Sequence, residues 1–133
     1  MSGAGVRTAL FVCLHGAAKS VLAAAAFERL ARARGLEARA AFAGTAPDPE
    51  IAPEVASELL AEGVDLRGRR PRRVTRDDVA GAWRVVTFGC ELGPLAAGVP
   101  VERWDDVPAV SDDFRKARAA IDGHLARLLD ELD

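Results

Sequence analysis

Residues 8–12, Thr-Ala-Leu-Phe-Val, constrain the fold most. A strand with one wet face alternates apolar and polar residues. A short continuous apolar run is instead buried on both faces, as in a parallel sheet flanked by helices. Small residues follow this run, and an alanine-rich segment then extends from Ser20 to about Arg34. Val21, Leu22, Phe27 and Leu30 share it at helical spacing, alanine and leucine favour helix, and Gly35 supplies the stop.

The same alternation continues. Residues 38–42 read as a second strand ending in the turn-rich stretch Ala43 to Pro49. A second helix fits Pro53 to Glu62, with proline in its first turn and Gly63 beyond its end. Residues 84–88 form a third buried strand and residues 99–104 a short fourth. Ser111 is positioned to cap a last helix reaching about Leu132, with Phe114, Ala117, Ile121, Leu125 and Leu128 on one face. Strands alternating with helices imply an α/β fold with a mostly parallel sheet covered on both faces. At 133 residues, half of them apolar, the chain is expected to be one domain over 1–133 with a single core.

Several function classes lack support. The net charge of −2 implies no field for nucleic acid or a membrane surface. The one basic cluster, Arg67 to Arg76, is local and reads as a solvated loop. No run is long and apolar enough to span a bilayer. The N-terminal apolar run continues into the first strand pattern and reads as structure, not as a signal peptide, so the expected compartment is the cytoplasm. Two cysteines, Cys13 and Cys90, do not make a disulfide framework. No metal-ligand set is assigned.

Cys13 stands just past the carboxyl end of the first strand, where open α/β sheets bind ligands. The loop Leu14, His15, Gly16, Ala17, Ala18 and Lys19 leads into a helix N-terminus, which offers free N–H groups and partial positive charge. Gly16 and the alanines keep the loop slim, so its backbone is able to curl round a small anion. Such a field favours thiolate over thiol in a neighbouring cysteine. The loop is thus suited to hold an oxyanion and attack it with sulfur. Lys19, a cation at an unfavourable helix end, is expected to face an anion. His15 and His124 read as exposed residues, and Cys90 is equally a buried inert thiol or a resolving one.

Cys-x5-basic-Ser between a first strand and a first helix resembles the active-site loop of the low-molecular-weight protein tyrosine phosphatase superfamily. Its arsenate reductase branch is similar in further stretches, Phe42 to Thr75, "VVTFGC", "PVERWDD" and the "F..AR..I" helix. The resemblance implies a three-layer domain with four parallel strands. It implies Cys13 as nucleophile, Ser20 as hydrogen-bond partner of the sulfur, and the amides of Leu14 to Lys19 as oxyanion donors. The family's general acid is an aspartate shortly before a proline. Asp106 is the first candidate here and Asp105 the second. Cys90 resembles the first resolving cysteine of the reductases.

Three positions depart from the family pattern. Lys19 replaces arginine, which keeps charge but loses the planar two-point grip. The expected cost is a few kcal/mol of transition-state stabilisation, on the order of that for losing one preorganised donor. Gly16 replaces a loop-bracing asparagine. The chain has no tyrosine, so the aromatic rim of phosphotyrosine-cleaving members is missing. The resemblance therefore implies first an arsenate reductase-like thiol enzyme with no bound cofactor, using thioredoxin or a small thiol as reductant. The alternatives are a phosphatase acting on a phosphorylated substrate through phospho-cysteine, and a domain that binds an oxyanion or phospho-ligand without turnover.

Overall fold

A computed structural model describes residues 6–132. The reading of the extreme N-terminus that falls on residues 1–5 lies outside them. Four parallel strands, β1 (Arg7–Cys13), β2 (Ala38–Gly44), β3 (Arg84–Phe88) and β4 (Glu102–Arg103), lie in the order β2-β1-β3-β4. The helices are α1 (Lys19–Ala33), α2 (Pro53–Ala61), α3 (Arg76–Ala80) and α4 (Phe114–Asp130), and a 3₁₀ turn spans Gly93–Ala96. This is the expected α/β fold with a four-stranded parallel sheet.

The central position of β1 explains its unbroken apolar run. It pairs with β2 on one side and β3 on the other, and Ala9 to Val12 are buried. Ala9 and Phe11 face a core built with α1, α2 and α4, including Phe27, Val55, Ile121 and Leu125. Leu10 and Val12 face a smaller cluster with Val74, Val79, Val85 and Leu92. The two faces are covered unequally: the second carries only the short α3 and the 3₁₀ turn.

Three boundaries differ from the expectations. β4 is two residues rather than the six of 99–104. It ends where Trp104 leaves the edge and turns inward, its amide donating to the Thr87 carbonyl at 2.8 Å. Trp104 is 1% exposed and packs its ring on Phe11 and Phe88. The last helix starts at Phe114, capped by Asp113 and not by Ser111, because the Asp113 carboxylate accepts from the Lys116 amide at 3.0 Å. α3 was not anticipated. Its five residues rest on a capping box in which Thr75 and Asp78 satisfy each other's amides.

The basic cluster has a structural use. Arg67 pairs with Asp65, Arg72 grips Asp78 with two hydrogen bonds, and Arg76 donates to the Pro94 carbonyl. Arg73 forms a parallel bridge with Gly44 and donates to the Thr45 carbonyl at 2.9 Å. The two Arg73 contacts tie down the end of β2, which the site depends on.

Trp104→Ala is expected to destabilise the domain by about 3–5 kcal/mol, the usual cost of emptying a buried aromatic site. Urea denaturation measures it; a loss under about 1 kcal/mol would show that Trp104 does not anchor this core.

Candidate active site

Cys13 closes β1, 7% exposed, with its Sγ 3.1 Å from the Oγ of the fully buried Ser20 in the first turn of α1. With sulfur as thiolate, the hydroxyl donates to it. Between them the chain makes a tight loop whose carbonyls are taken up by the stretch after β2. The amides of Thr45, Ala46, Asp48 and Ala52 donate to the carbonyls of Cys13, Leu14, His15 and Ala17 at 2.8–3.2 Å. The amides of Leu14 to Ala18, by contrast, donate to no protein acceptor among the described residues. Ala18 caps α1 with no side-chain hydrogen bond, and no acidic residue stands in that helix's first turn. The loop therefore presents unengaged donors beside the sulfur, the arrangement an oxyanion requires.

Two glycines allow this geometry. Gly16 has φ +61°, and a Cβ there would lie 2.8 Å from the Gly44 nitrogen. A Cβ on Gly44 would lie 2.7 Å from the Gly16 nitrogen. Both approaches are backbone to backbone, so neither position has room for a side chain. The loop is braced by this contact and by the ladder to residues 45–52, in place of an asparagine side chain.

A cavity of about 350 Å³ opens over Cys13. Leu14, His15, Ala17, Ala18 and Lys19 line it from the loop, Phe88 from β3, Ala52 and Glu54 from the start of α2, and Ala109, Val110 and Ser111 from the segment before α4. Lys19 is half-buried and forms no ion pair among the described residues. It thus brings positive charge to a cavity that the carboxylates of Asp48 and Glu54 also line. Asp48 also lines it, with Oδ1 3.1 Å from His15 Nδ1.

The structure brings Cys13, Ser20, Lys19 and the loop together as expected, but not the acids. Asp105 accepts from the Gly89 amide at 3.0 Å and pairs with Arg103. Asp106 meets His124 Nε2 at 2.8 Å, and that hydrogen bond holds its carboxyl below the usual range. Neither lines the cavity; the segment they belong to reaches it only with Ala109, Val110 and Ser111. His124 is likewise not a plain surface residue: its ring stacks on Trp104 at 4.7 Å.

Cys90 is buried in the Leu10–Val12 cluster, on the sheet face opposite the one Cys13 packs into. Its thiol donates to the Val12 carbonyl at 3.5 Å. Burial pushes the Cys90 thiol up from its ordinary range, and the negative charge of nearby Cys13 adds to the effect. Asp48 and Glu54 were missed among the cavity residues. The available signal was topological: the loop after a parallel strand opens at the same sheet edge as the loop after β1.

Two outcomes follow. Gly44→Ala is expected to cost about 1–3 kcal/mol by overpacking and to slow Cys13 alkylation, since the loop must move to admit the methyl. Unchanged stability and reactivity would contradict the clamp. In the unmodified protein, iodoacetamide at neutral pH is expected to label Cys13 well before Cys90, read by mass spectrometry; equal rates would contradict the upward shift of the Cys90 thiol.

Comparison with known proteins agrees with this fold. Residues 8–91 match the family described as low molecular weight phosphotyrosine protein phosphatase. A Halobacterium salinarum protein named "Putative arsenate reductase" is 33% identical, covering 92% of this chain and 91% of its own. The Corynebacterium glutamicum thioredoxin-dependent arsenate reductase superposes with a TM-score of 0.78 at 28% identity over 98% of this chain, which spans only 64% of that protein's length. The Erwinia amylovora tyrosine phosphatase AmsI shares the fold, with a TM-score of 0.74 at 13% identity, covering 100% of this chain and 97% of its own. The chain belongs to the low molecular weight phosphotyrosine protein phosphatase family.

Proposed function

We propose that this chain is an arsenate reductase-like thiol enzyme, acting as one domain, with Cys13 as its nucleophile. The observation that carries the reading is the thiol at the cavity floor, 3.1 Å from a buried hydroxyl and beside loop amides with no protein acceptor. Arsenate binds through those amides and the Lys19 ammonium. The Cys13 thiolate attacks arsenic, an S–As bond forms, and one arsenate oxygen leaves as water after protonation. A second thiol then attacks the Cys13 sulfur. The S–As electron pair returns to arsenic, reducing As(V) to As(III), and the two thiols end as a disulfide. The second thiol is Cys90 after local rearrangement, or thioredoxin or a small thiol from outside.

A second reading has its own support. Cys90 is held against the Val12 carbonyl on the opposite face of the sheet, which disfavours it as a ready resolving thiol. A phosphatase needs none, because water attacks the phospho-cysteine. The apolar walls of Phe88, Ala109 and Val110 suit a small ester, and no tyrosine is present to rim the cavity for a phosphotyrosyl peptide.

Arsenate with thioredoxin or dithiothreitol, and p-nitrophenyl phosphate without reductant, separate the readings. Reductant-dependent arsenite release lost in Cys13→Ser supports the reductase. Ester cleavage independent of thiol supports the phosphatase. Phosphate that protects Cys13 from alkylation without any turnover identifies a binding domain and overturns both. Lys19→Arg is expected to raise kcat about tenfold or more by restoring a two-point grip; an unchanged kcat would mean that Lys19 already supplies all the charge stabilisation the site uses.

A further inference from the structure

We propose that the His15–Asp48 pair is the proton donor of this site, an assignment that rests on the reading of Cys13 as nucleophile. Attack on a tetrahedral oxyanion expels an oxygen that needs a proton, and a helix N-terminus and an ammonium stabilise charge without answering that need. The acids expected for the task are engaged elsewhere: Asp105 with the Gly89 amide and Arg103, Asp106 with His124. Asp113 is spent capping α4. The segment carrying these acids gives the cavity a methyl, an isopropyl and a hydroxyl.

Besides Cys13, the titratable groups lining the cavity are His15, Lys19, Asp48 and Glu54. Lys19 is the anion's counter-charge. Glu54 stands in the first turn of α2, where its charge suits the helix dipole. His15 and Asp48 have a different relation. The Asp48 amide donates to the His15 carbonyl at 3.0 Å, and the Asp48 carboxylate meets His15 Nδ1 at 3.1 Å. Backbone and side chain hold the pair in one register. At 3.1 Å the Asp48 carboxylate is in ion-pair range of His15 Nδ1, and Nε2, which has no partner among the described residues, is the atom assigned to proton exchange. Both side chains line the cavity and are about half exposed.

The protons balance over a cycle. As the Cys13 sulfur bonds to phosphorus or arsenic and the bond to the leaving oxygen breaks, that oxygen takes the proton from His15 Nε2. The neutral ring then accepts a proton from the attacking water or thiol, and the imidazolium, paired with the Asp48 carboxylate, is restored.

The test compares wild type, His15→Gln, Asp48→Asn and Glu54→Gln on arsenate with dithiothreitol, phenyl phosphate and p-nitrophenyl phosphate. Inorganic phosphate protection of Cys13 from alkylation reports whether the anion site survives. Both dyad variants are expected to keep that protection. They should lose about 10²-fold in kcat on arsenate and phenyl phosphate, whose leaving groups are poor, and far less on p-nitrophenyl phosphate. Equal losses on all substrates, or a loss borne by Glu54→Gln alone, would overturn the assignment. A wild type with no Cys13-dependent turnover would overturn the enzyme reading and this proposal with it, whereas an active wild type with indifferent dyad variants would overturn the dyad only.

Discussion

The close approach of two backbones at Gly16 and Gly44 governs the rest of the site. Contacts of 2.7–2.8 Å at the positions a Cβ would occupy press the loop after β1 against the end of β2. Once the loop lies there, its carbonyls are drawn into hydrogen bonds with the stretch from Thr45 to Ala52, and its amides turn the other way. Free backbone donors do not depend on side-chain identity, so they survive changes of side chain in the loop. A sequence as plain as Leu-His-Gly-Ala-Ala is therefore compatible with the proposed anion site.

Charge and sulfur chemistry are arranged round this frame. Lys19 brings positive charge to the cavity without an ion-pair partner among the described residues, and Ser20 meets the sulfur from a fully buried position. The end of β2 is in turn held by the arginine-rich stretch, through the Gly44–Arg73 bridge and the Arg73 contact to Thr45. A run that looks like a solvated surface feature in the sequence therefore reaches the site by two steps. Each step is a hydrogen bond to backbone, so the end of β2 is held through main-chain acceptors.

Much of this was legible in advance. The unbroken apolar run of residues 8–12 announced a central parallel strand, and Cys13 with the small-residue loop announced the cavity at the strand's carboxyl end, because both signals are local. What was not legible depends on contacts distant in sequence. The residues 99–104 read as a strand, but Trp104 is worth more in the core between Phe11 and Phe88 than on a sheet edge. Asp105 and Asp106 sit beside a proline in the chain, yet their directions are set by partners at Gly89, Arg103 and His124. The side of the sheet on which Cys90 lies follows from the turn at Gly89, with φ +71°, which spacing alone does not reveal.

The central claim is that the amides of residues 14–19 form a ready anion site beside Cys13. Nuclear magnetic resonance of ¹⁵N-labelled protein, titrated with inorganic phosphate, tests it most directly. The account expects saturable downfield shifts concentrated in the amides of Leu14 to Lys19, with little change in Arg67 to Arg76. Shifts confined to the arginine-rich stretch, or none in the loop at saturating phosphate, would contradict it.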